Sequence, residues 1–222
     1  DVDAWLRAPV FDLEEMEGEP CMVGLDLASK RDLAAMVAIF RHAEKWRIWS
    51  RFWLPSARIR EVQAVPYQEW VDRGDIVETP GDIIDFEMIE QDLLEFCSRF
   101  DVQEIAYDPF QATQLVTRMQ DKGLRMVEVG QGFRTMSEPM KELDALIRAG
   151  KVEHCGNACM AWNLANTQAR MIGGDHVRPV KQREEEKIDG AVAAIMAMNR
   201  WIAETPQRKP WWEDEGASFV MG

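Results

Sequence analysis

Long apolar runs are missing from this sequence. No stretch of its 222 residues approaches the roughly 18 consecutive apolar residues that a membrane-spanning helix needs. The first residues show no basic-then-apolar signal pattern, so no membrane association is expected. Cysteine is scarce. Cys21, Cys97, Cys155 and Cys159 have no framework spacing and lie mostly in apolar surroundings, which predicts buried free thiols in a reducing compartment and no disulfide. His154, Cys155 and Cys159 lack the paired second half that a four-ligand zinc site requires. Positive charge is short as well: Lys and Arg total 26 against 39 Asp and Glu, a net charge of −13. Nucleic-acid affinity rests on neutralising phosphates, so an acidic domain binds DNA weakly by itself. If DNA is a substrate, something else must deliver it; the plainer alternative is that the acidity serves only solubility. A phosphate-binding Gly-x-x-x-x-Gly-Lys-Ser/Thr loop is also absent, because Gly130-Gln131-Gly132-Phe133 lacks the lysine and the helix context.

What is present suffices for one folded domain, since 46% of the residues are hydrophobic and the length can bury a sizeable core. Residues 1–20 are charged and irregular, with Pro9, Gly18 and Pro20, and read as a linker or arm. Strands are predicted over 21–28, 33–40 and 46–54, and the short polar connections between them imply antiparallel hairpins. Residues 56–74 look helical with a break at Pro66. A helix beginning near Asp85 places Phe86, Ile89, Leu93, Phe96 and Phe100 on one face. The strand 102–107, a helix over 111–122 stopped by Gly123, and the strand 125–129 form a strand-helix-strand unit whose two strands should be parallel. Ser137 is expected to cap a helix that ends at Gly150. Another helix is expected over 157–169, a turn between short extended pieces over 171–180, a long helix from about 186 to 203, and a tail over 205–222.

Three aspartates sit where an acid has no structural reason to be. Asp26 interrupts the apolar run Met22–Ala28, Asp108 ends Ile105-Ala106-Tyr107 just before a proline, and Asp189 opens an apolar helix. Hard divalent cations take carboxylate oxygens from a few rigid positions, and strand ends and a helix start are suitable mounts. For Asp189 the alternative is a first-turn acid favoured by the helix dipole. For Asp26 that kind of explanation is weaker, because a buried unpaired carboxylate is costly.

The order of these motifs resembles the nuclease domain of the large terminase subunit of tailed bacteriophages, within the ribonuclease H-like superfamily. The resemblance is carried by Gly24-Leu25-Asp26-Leu27-Ala28 with Asp32-Leu33, Ile105-Ala106-Tyr107-Asp108, Met136–Leu143, Trp162-Asn163-Leu164-Ala165-Asn166 and Lys187–Ala193, which cover roughly 21 to 200 in order. It implies an α/β fold with a mixed five-stranded sheet, three antiparallel strands then two parallel, flanked by helices. The nuclease domain would span 21–204. It implies a metal-dependent endonuclease that cuts concatemeric double-stranded DNA during genome packaging. Asp26, Asp108 and Asp189 would then be both metal ligands and catalytic residues for Mg²⁺ or Mn²⁺, two ions about 3.5–4 Å apart with Asp26 bridging. A whole large subunit also carries an N-terminal ATPase. With no P-loop and an opening of Asp1-Val2-Asp3, this chain is expected to be the C-terminal half, working in the host cytoplasm and at the procapsid portal with the small terminase subunit.

Other candidates are softer. Arg178, Lys181, Arg183 and Lys187 form the densest basic stretch, and Lys30 and Arg31 lie in the first hairpin; these are the candidate DNA contacts. Interleaving with Glu184-Glu185-Glu186 makes a solvated face the competing reading. Asp32 reads as a turn residue or as an outer acid of the site. Another ribonuclease H-like enzyme, such as a resolvase or transposase core, would use the same acids on a different substrate, and a packaging module would keep the fold without metals.

Overall fold

Unbroken apolar runs become the middle of a sheet that is covered on both faces. The computed structural model describes residues 1–27, 31–109 and 113–204. In chain order the elements are α1 (Val2–Arg7), one 3-10 turn (Leu13–Met16), β1 (Pro20–Asp26), β2 (Ala34–His42), β3 (Lys45–Pro55), α2 (Ser56–Glu61), α3 (Tyr67–Asp72), β4 (Val77–Thr79), α4 (Phe86–Arg99), β5 (Asp101–Tyr107), α5 (Thr113–Asp121), β6 (Met126–Glu128), α6 (Phe133–Arg148), β7 (Val152–His154), α7 (Ala158–Asn166), β8 (Gln168–Ile172), β9 (His176–Val180) and α8 (Asp189–Glu204). Among the described residues no helix is long and apolar enough to cross a membrane.

The main sheet runs β4-β3-β2-β1-β5-β6, with β7 also on β3. β1, β2 and β3 are antiparallel neighbours, while β5 joins β1, and β6 joins β5, in parallel. These five strands are the expected ones. The sheet is nevertheless seven-stranded: β4 and β7 each add three residues to the outer edge of β3, in parallel. Segments this short carry too few residues for an alternation pattern to register. Alternate residues of β1 and β2 point into two separate cores. Met22, Ala35, Val37 and Ile39 pack against α6, α7 and α8, and Cys21, Val23, Leu25, Met36 and Phe40 pack with Ile89, Leu93 and Phe96 of α4 and with Leu115 and Met119 of α5.

Two expectations are corrected. Residues 1–20 are no free arm. Trp5 of α1 is buried and stacks on His154 with ring centroids 4.5 Å apart, Val10 bridges His154, and Met16 is wholly buried. The charged residues of the segment masked three buried apolar anchors, Trp5, Phe11 and Met16, spaced too irregularly for a periodicity to show. Ser137 is not a cap either: α6 starts four residues earlier, with Gly132 as N-cap. Ser137 lies buried inside the helix and accepts a hydrogen bond from the Val177 N–H at 3.1 Å. Pro139 also lies inside the helix. Inside a helix proline cannot donate to the carbonyl four residues back, and that carbonyl, Thr135 O, accepts from Asn199 Nδ2 of α8 at 3.0 Å instead. The expected tail, 205–222, lies outside the described residues, as do Gln111 and Ala112 of the expected 111–122 helix.

α8 is buried on all sides from Gly190 to Met198 and packs on β1, β2, β5, α6 and α7. Its approach to β1 depends on Gly24. A Cβ at that position would stand 1.9 Å from the carbonyl oxygen of Ala193 and 3.0 Å from the Ala197 nitrogen, both backbone atoms with no rotamer to yield. Gly24→Ala should therefore push the helix off the strand. The expected cost is about 2–4 kcal/mol, lowering Tm by roughly 5–15 °C in thermal denaturation. A variant melting with the parent would mean that α8 is not seated on β1 in this way.

Candidate active site

Two of the three aspartates are brought together by strand register. Leu25 of β1 pairs with Tyr107 of β5 in parallel, so the next residues, Asp26 and Asp108, leave the sheet side by side at the carboxyl ends of adjacent strands. That spacing is about 4.8 Å between strands. The third acid comes from above: Ala193 rests on Gly24, and Asp189, one helical turn earlier, reaches the strand end two residues beyond Gly24, where Asp26 stands. A turn of about 5.4 Å and two strand residues of about 6.6 Å are commensurate. Asp26, Asp108 and Asp189 are each half-buried.

The start of α8 is pinned by α7. Asn163, fully buried, accepts from the Gly190 N–H through Oδ1 at 3.0 Å and donates through Nδ2 to the Cys159 carbonyl. Asn166 Nδ2 donates to Lys187 O at 3.1 Å. The backbone on both sides of Asp189 is thus tied to one neighbouring helix. Gln131, in the loop between β6 and α6, donates from Nε2 to Asp26 Oδ1 at 3.1 Å.

Charge separates these acids from the structural ones. Glu104, on β5, is buried but held by Arg125 at 2.7 Å and Arg200 at 2.6 Å. Asp26 has no lysine or arginine partner among the described residues, and the Gln131 amide is its hydrogen-bond donor. Desolvation, then the charges of Asp189 and Asp108, push its carboxyl well above the ordinary range, against the smaller opposing effect of Gln131. Asp189 is pushed up to about 6, first by burial and then by Asp32, while its own backbone N–H, Lys187 and Lys181 oppose the shift.

Asp26, Asp189 and Gln131 line a cleft of about 440 Å³ together with Asp32, Arg178, Lys181, Glu186 and Lys187, while Asp108, at the end of β5, stands off its wall. Asp32 is more than a turn residue: it accepts from the Leu33 N–H and pairs with the buried Lys187. Lys187 is therefore engaged inside the fold. Lys181 Nζ donates to the Glu184 carbonyl. Arg178 lies over the Phe133 ring, 5.0 Å from its centroid, and its buried Nε has no hydrogen-bond partner among the described residues. Arg183 is exposed beside Glu186 and off the cleft wall. Arg31 pairs with Glu61 at 2.7 Å, and Lys30 lies outside the described residues. His154 and Cys155 are occupied elsewhere: the imidazole bonds Trp5 O and the Gly156 N–H, and the thiol faces Ser50.

Among the described residues no three His, Cys, Asp or Glu side chains form a ready-made ligand cluster. The donor chemistry nonetheless fits a hard divalent cation. The candidate ligands are all carboxylate oxygens on rigid mounts, and Asp26 stands among like charges with no lysine or arginine paired to it among the described residues.

A mixed sheet with acids at the carboxyl ends of two adjacent strands and a third acid on an overlying helix is a ribonuclease H-like arrangement. A family model, the terminase large subunit endonuclease domain, matches residues 1–205, and the chain belongs to that family. It is 36% identical over 202 residues to the protein YmfN of Escherichia coli K12, covering 85% of this chain and 44% of YmfN. The large terminase subunit of Enterobacteria phage HK97 is 29% identical over 182 residues, 79% of this chain and 36% of that protein. The HK97 crystal structure superposes with a TM-score of 0.79 at 26% identity, over 90% of this chain and 43% of that one. The nuclease domain of the bacteriophage SPP1 large terminase, solved with bound Mn, shares the fold at a TM-score of 0.52 and 14% identity, over 86% of this chain and 92% of that domain. This chain thus spans less than half the length of the curated relatives it matches.

A buried acid whose carboxyl is held above its unfolded-state value weakens the fold wherever it is ionised. For Asp189 the penalty is absent below about pH 4, grows between 3.8 and about 6, and is constant above. Asp189→Asn should therefore raise the Tm of the metal-free protein by roughly 2–8 °C at pH 7.5, and the gain should fade as the pH falls towards 4. Calorimetry in EDTA checks this, and a variant less stable than the parent at pH 7.5 would show that Asp189 is a stabilising helix-start acid.

Proposed function

We propose that this chain is the DNA-cutting part of a terminase large subunit, hydrolysing both strands of concatemeric DNA during genome packaging with two divalent ions, Mg²⁺ or Mn²⁺. The observation that carries the reading is the position of Asp26 between Asp108 at the end of β5 and Asp189 at the start of α8, whose charges both act on it, with no lysine or arginine partner among the described residues such as Glu104 has. The manganese bound by the SPP1 domain supports the choice of ion. Bound divalent ions would supply a Lewis acid for the scissile phosphate and lower the pKa of the attacking water.

The protein's own part is to hold charge in place. Asp26, flanked by both other acids, would hold the ions together with Asp108 and Asp189. Gln131 orients the Asp26 carboxylate, and Asn163 and Asn166 fix the direction from which Asp189 enters. Lys187 pairs with Asp32 and offsets part of the repulsion that Asp32 exerts on Asp189. On the DNA side Arg178 is the strongest candidate, followed by Lys181, with Arg183, Arg31 and Lys30 further out. Arg178 and Lys181 line the cleft without a carboxylate partner among the described residues.

The functional unit is residues 21–204 with 1–20 strapped to its edge. In this reading an ATPase half, the small terminase subunit and the portal deliver DNA in the host cytoplasm, which accommodates the net charge of −13 that leaves the domain a weak binder alone.

The isolated chain should nick and linearise plasmid DNA slowly and without sequence preference in Mn²⁺ or Mg²⁺. Asp26→Asn, Asp108→Asn and Asp189→Asn should each abolish cutting while keeping the fold, because the amide retains size but loses the charge that binds the cation. Cleavage that persists in EDTA, or parent-like cutting by two of the three variants, would falsify the assignment.

Arginine braced on an aromatic face presents a fixed planar fork that lysine cannot reproduce. Arg178→Lys should therefore lose about 10-fold or more in cleavage despite keeping its charge. Phe133→Leu should also lose activity, whereas Phe133→Tyr, which keeps the ring, should not. Mn²⁺ affinity, followed by calorimetry, should stay at the parent value in all three; equal cleavage rates across the set would remove Arg178 from the DNA path.

A further inference from the structure

Beside the acid cleft lies a notch of about 180 Å³ lined by Arg31, Asp32, Arg58 and Glu61. Asp32 belongs to both walls, so the two depressions adjoin. In the notch two guanidinium groups from separate elements, the β1–β2 connection and α2, converge on one carboxylate: Arg31 lies 2.7 Å and Arg58 3.8 Å from Glu61. All three side chains are substantially exposed, at 57%, 33% and 50%. Ion pairs this wet contribute little to stability, about 0–1 kcal/mol, so fold stability gives little reason for the cluster. Two arginines facing one anion is, however, the arrangement by which proteins grip phosphate, and in a chain of net charge −13 such convergence beside the acids is an uncommon use of positive charge.

The order of contacts gives the notch a direction. Gln131 donates to Asp26, Asp26, Asp189 and Asp32 line the one cleft, and Asp32 also lines the notch. A DNA strand crossing the acids and leaving past Asp32 brings its next phosphates to Arg31 and Arg58.

We propose that this notch is a second binding site for the DNA backbone, taking a phosphodiester group next to the one being cut, and that Glu61 stands in for that phosphate when DNA is absent. The proposal rests on the nuclease reading above and adds to it a site on α2. Binding exchanges one exposed carboxylate for a phosphate oxygen between the same two arginines. Glu61 is thus an internal competitor of the substrate: removing its charge frees the arginines, and removing Arg58 empties the site.

The test uses the 222-residue chain, a short duplex DNA followed by fluorescence anisotropy in EDTA, and plasmid cleavage in Mn²⁺. Glu61→Gln should tighten duplex binding by about 3–10-fold and steepen its salt dependence, with roughly one more phosphate contact visible in the slope. Arg58→Ala should weaken binding by a similar factor and flatten the slope. Glu44→Gln, an exposed acid in the β2–β3 turn at the far end of the sheet, makes the same change in net charge and should leave binding within about twofold. Melting temperatures of all three should match the parent, which separates a site effect from misfolding. If Glu61→Gln and Arg58→Ala bind and cut like the parent, or if Glu44→Gln tightens binding as much as Glu61→Gln, the notch is an ordinary surface ion pair while the nuclease reading stands. A parent chain that neither binds nor cuts DNA overturns both.

Discussion

The close seating of α8 on β1 is the contact on which the rest of this molecule depends. It is possible because a glycine faces a helix backbone: Gly24 offers no Cβ to the Ala193 carbonyl, so the helix lies against the central strand at the distance of bare backbones. Everything α8 carries is positioned by that one contact. Its first residue, Asp189, arrives over the end of β1. Near its last turns Arg200 reaches Glu104 on β5, and the Trp201 indole N–H donates to the Ile39 carbonyl on β2. A helix tied to three strands, buried along nine consecutive residues, cannot shift one residue without breaking all of these together.

Around this contact the protein distributes its cations selectively. Glu104 is fully neutralised, Glu90 pairs with Arg118 and Lys122, and Glu153 pairs with Arg47. Asp32 receives Lys187. Asp26 receives an amide. Among the described residues the buried Glu104 and the partly buried Glu90, Glu153 and Asp32 are thus each paired with a cation, whereas Asp26 is not. Leaving like charges enclosed costs folding free energy, and such strain persists where surrounding structure over-determines it. Here the over-determination is visible: strand register sets Asp26 beside Asp108, and Asn163 and Asn166 clamp the backbone on either side of Asp189.

How much of this was legible beforehand follows from the range of each interaction. Asp26, Asp108 and Asp189 stood out because each is an acid at the edge of an apolar run, a purely local signal. The five central strands and the parallel strand-helix-strand unit are equally local, being runs long enough to show a period. Gln131, Asn163 and Asn166 carry no such mark, since an amide in a loop or helix looks ordinary until the topology places it. Gln131 had one usable cue: it follows a strand parallel to β1 and β5, so its loop must emerge at the same carboxyl edge as the acids. The burial of Lys187, a candidate DNA contact in its basic stretch, carries no local mark because its partner, Asp32, lies 155 residues away in the chain. Ser137 and residues 1–20 failed for the opposite reason: a strong local pattern, a serine suited to capping and a charged segment, was overridden by tertiary packing.

The acidity of the chain acquires a specific meaning in the proposed function. A nuclease module with strong affinity for any duplex would cut wherever it met DNA, while one with net charge −13 depends on having the duplex presented. Presentation raises the local concentration of DNA by tethering, and affinity per contact can then remain low. Under that regime the few cations near the cleft need not bind the DNA tightly; they need only set the register of a strand already in place. Arg178 on its aromatic brace is suited to that task, because a stacked guanidinium loses little further freedom when a phosphate arrives. The exposed basic residues of the 181–183 turn are not: Arg183 must give up solvent and its carboxylate neighbour, and Lys181 its carbonyl, for one contact. In the proposed function a partly buried arginine braced on a ring would therefore position the DNA strand, with Lys181 of the cleft wall second to it and the exposed Arg183 adding least.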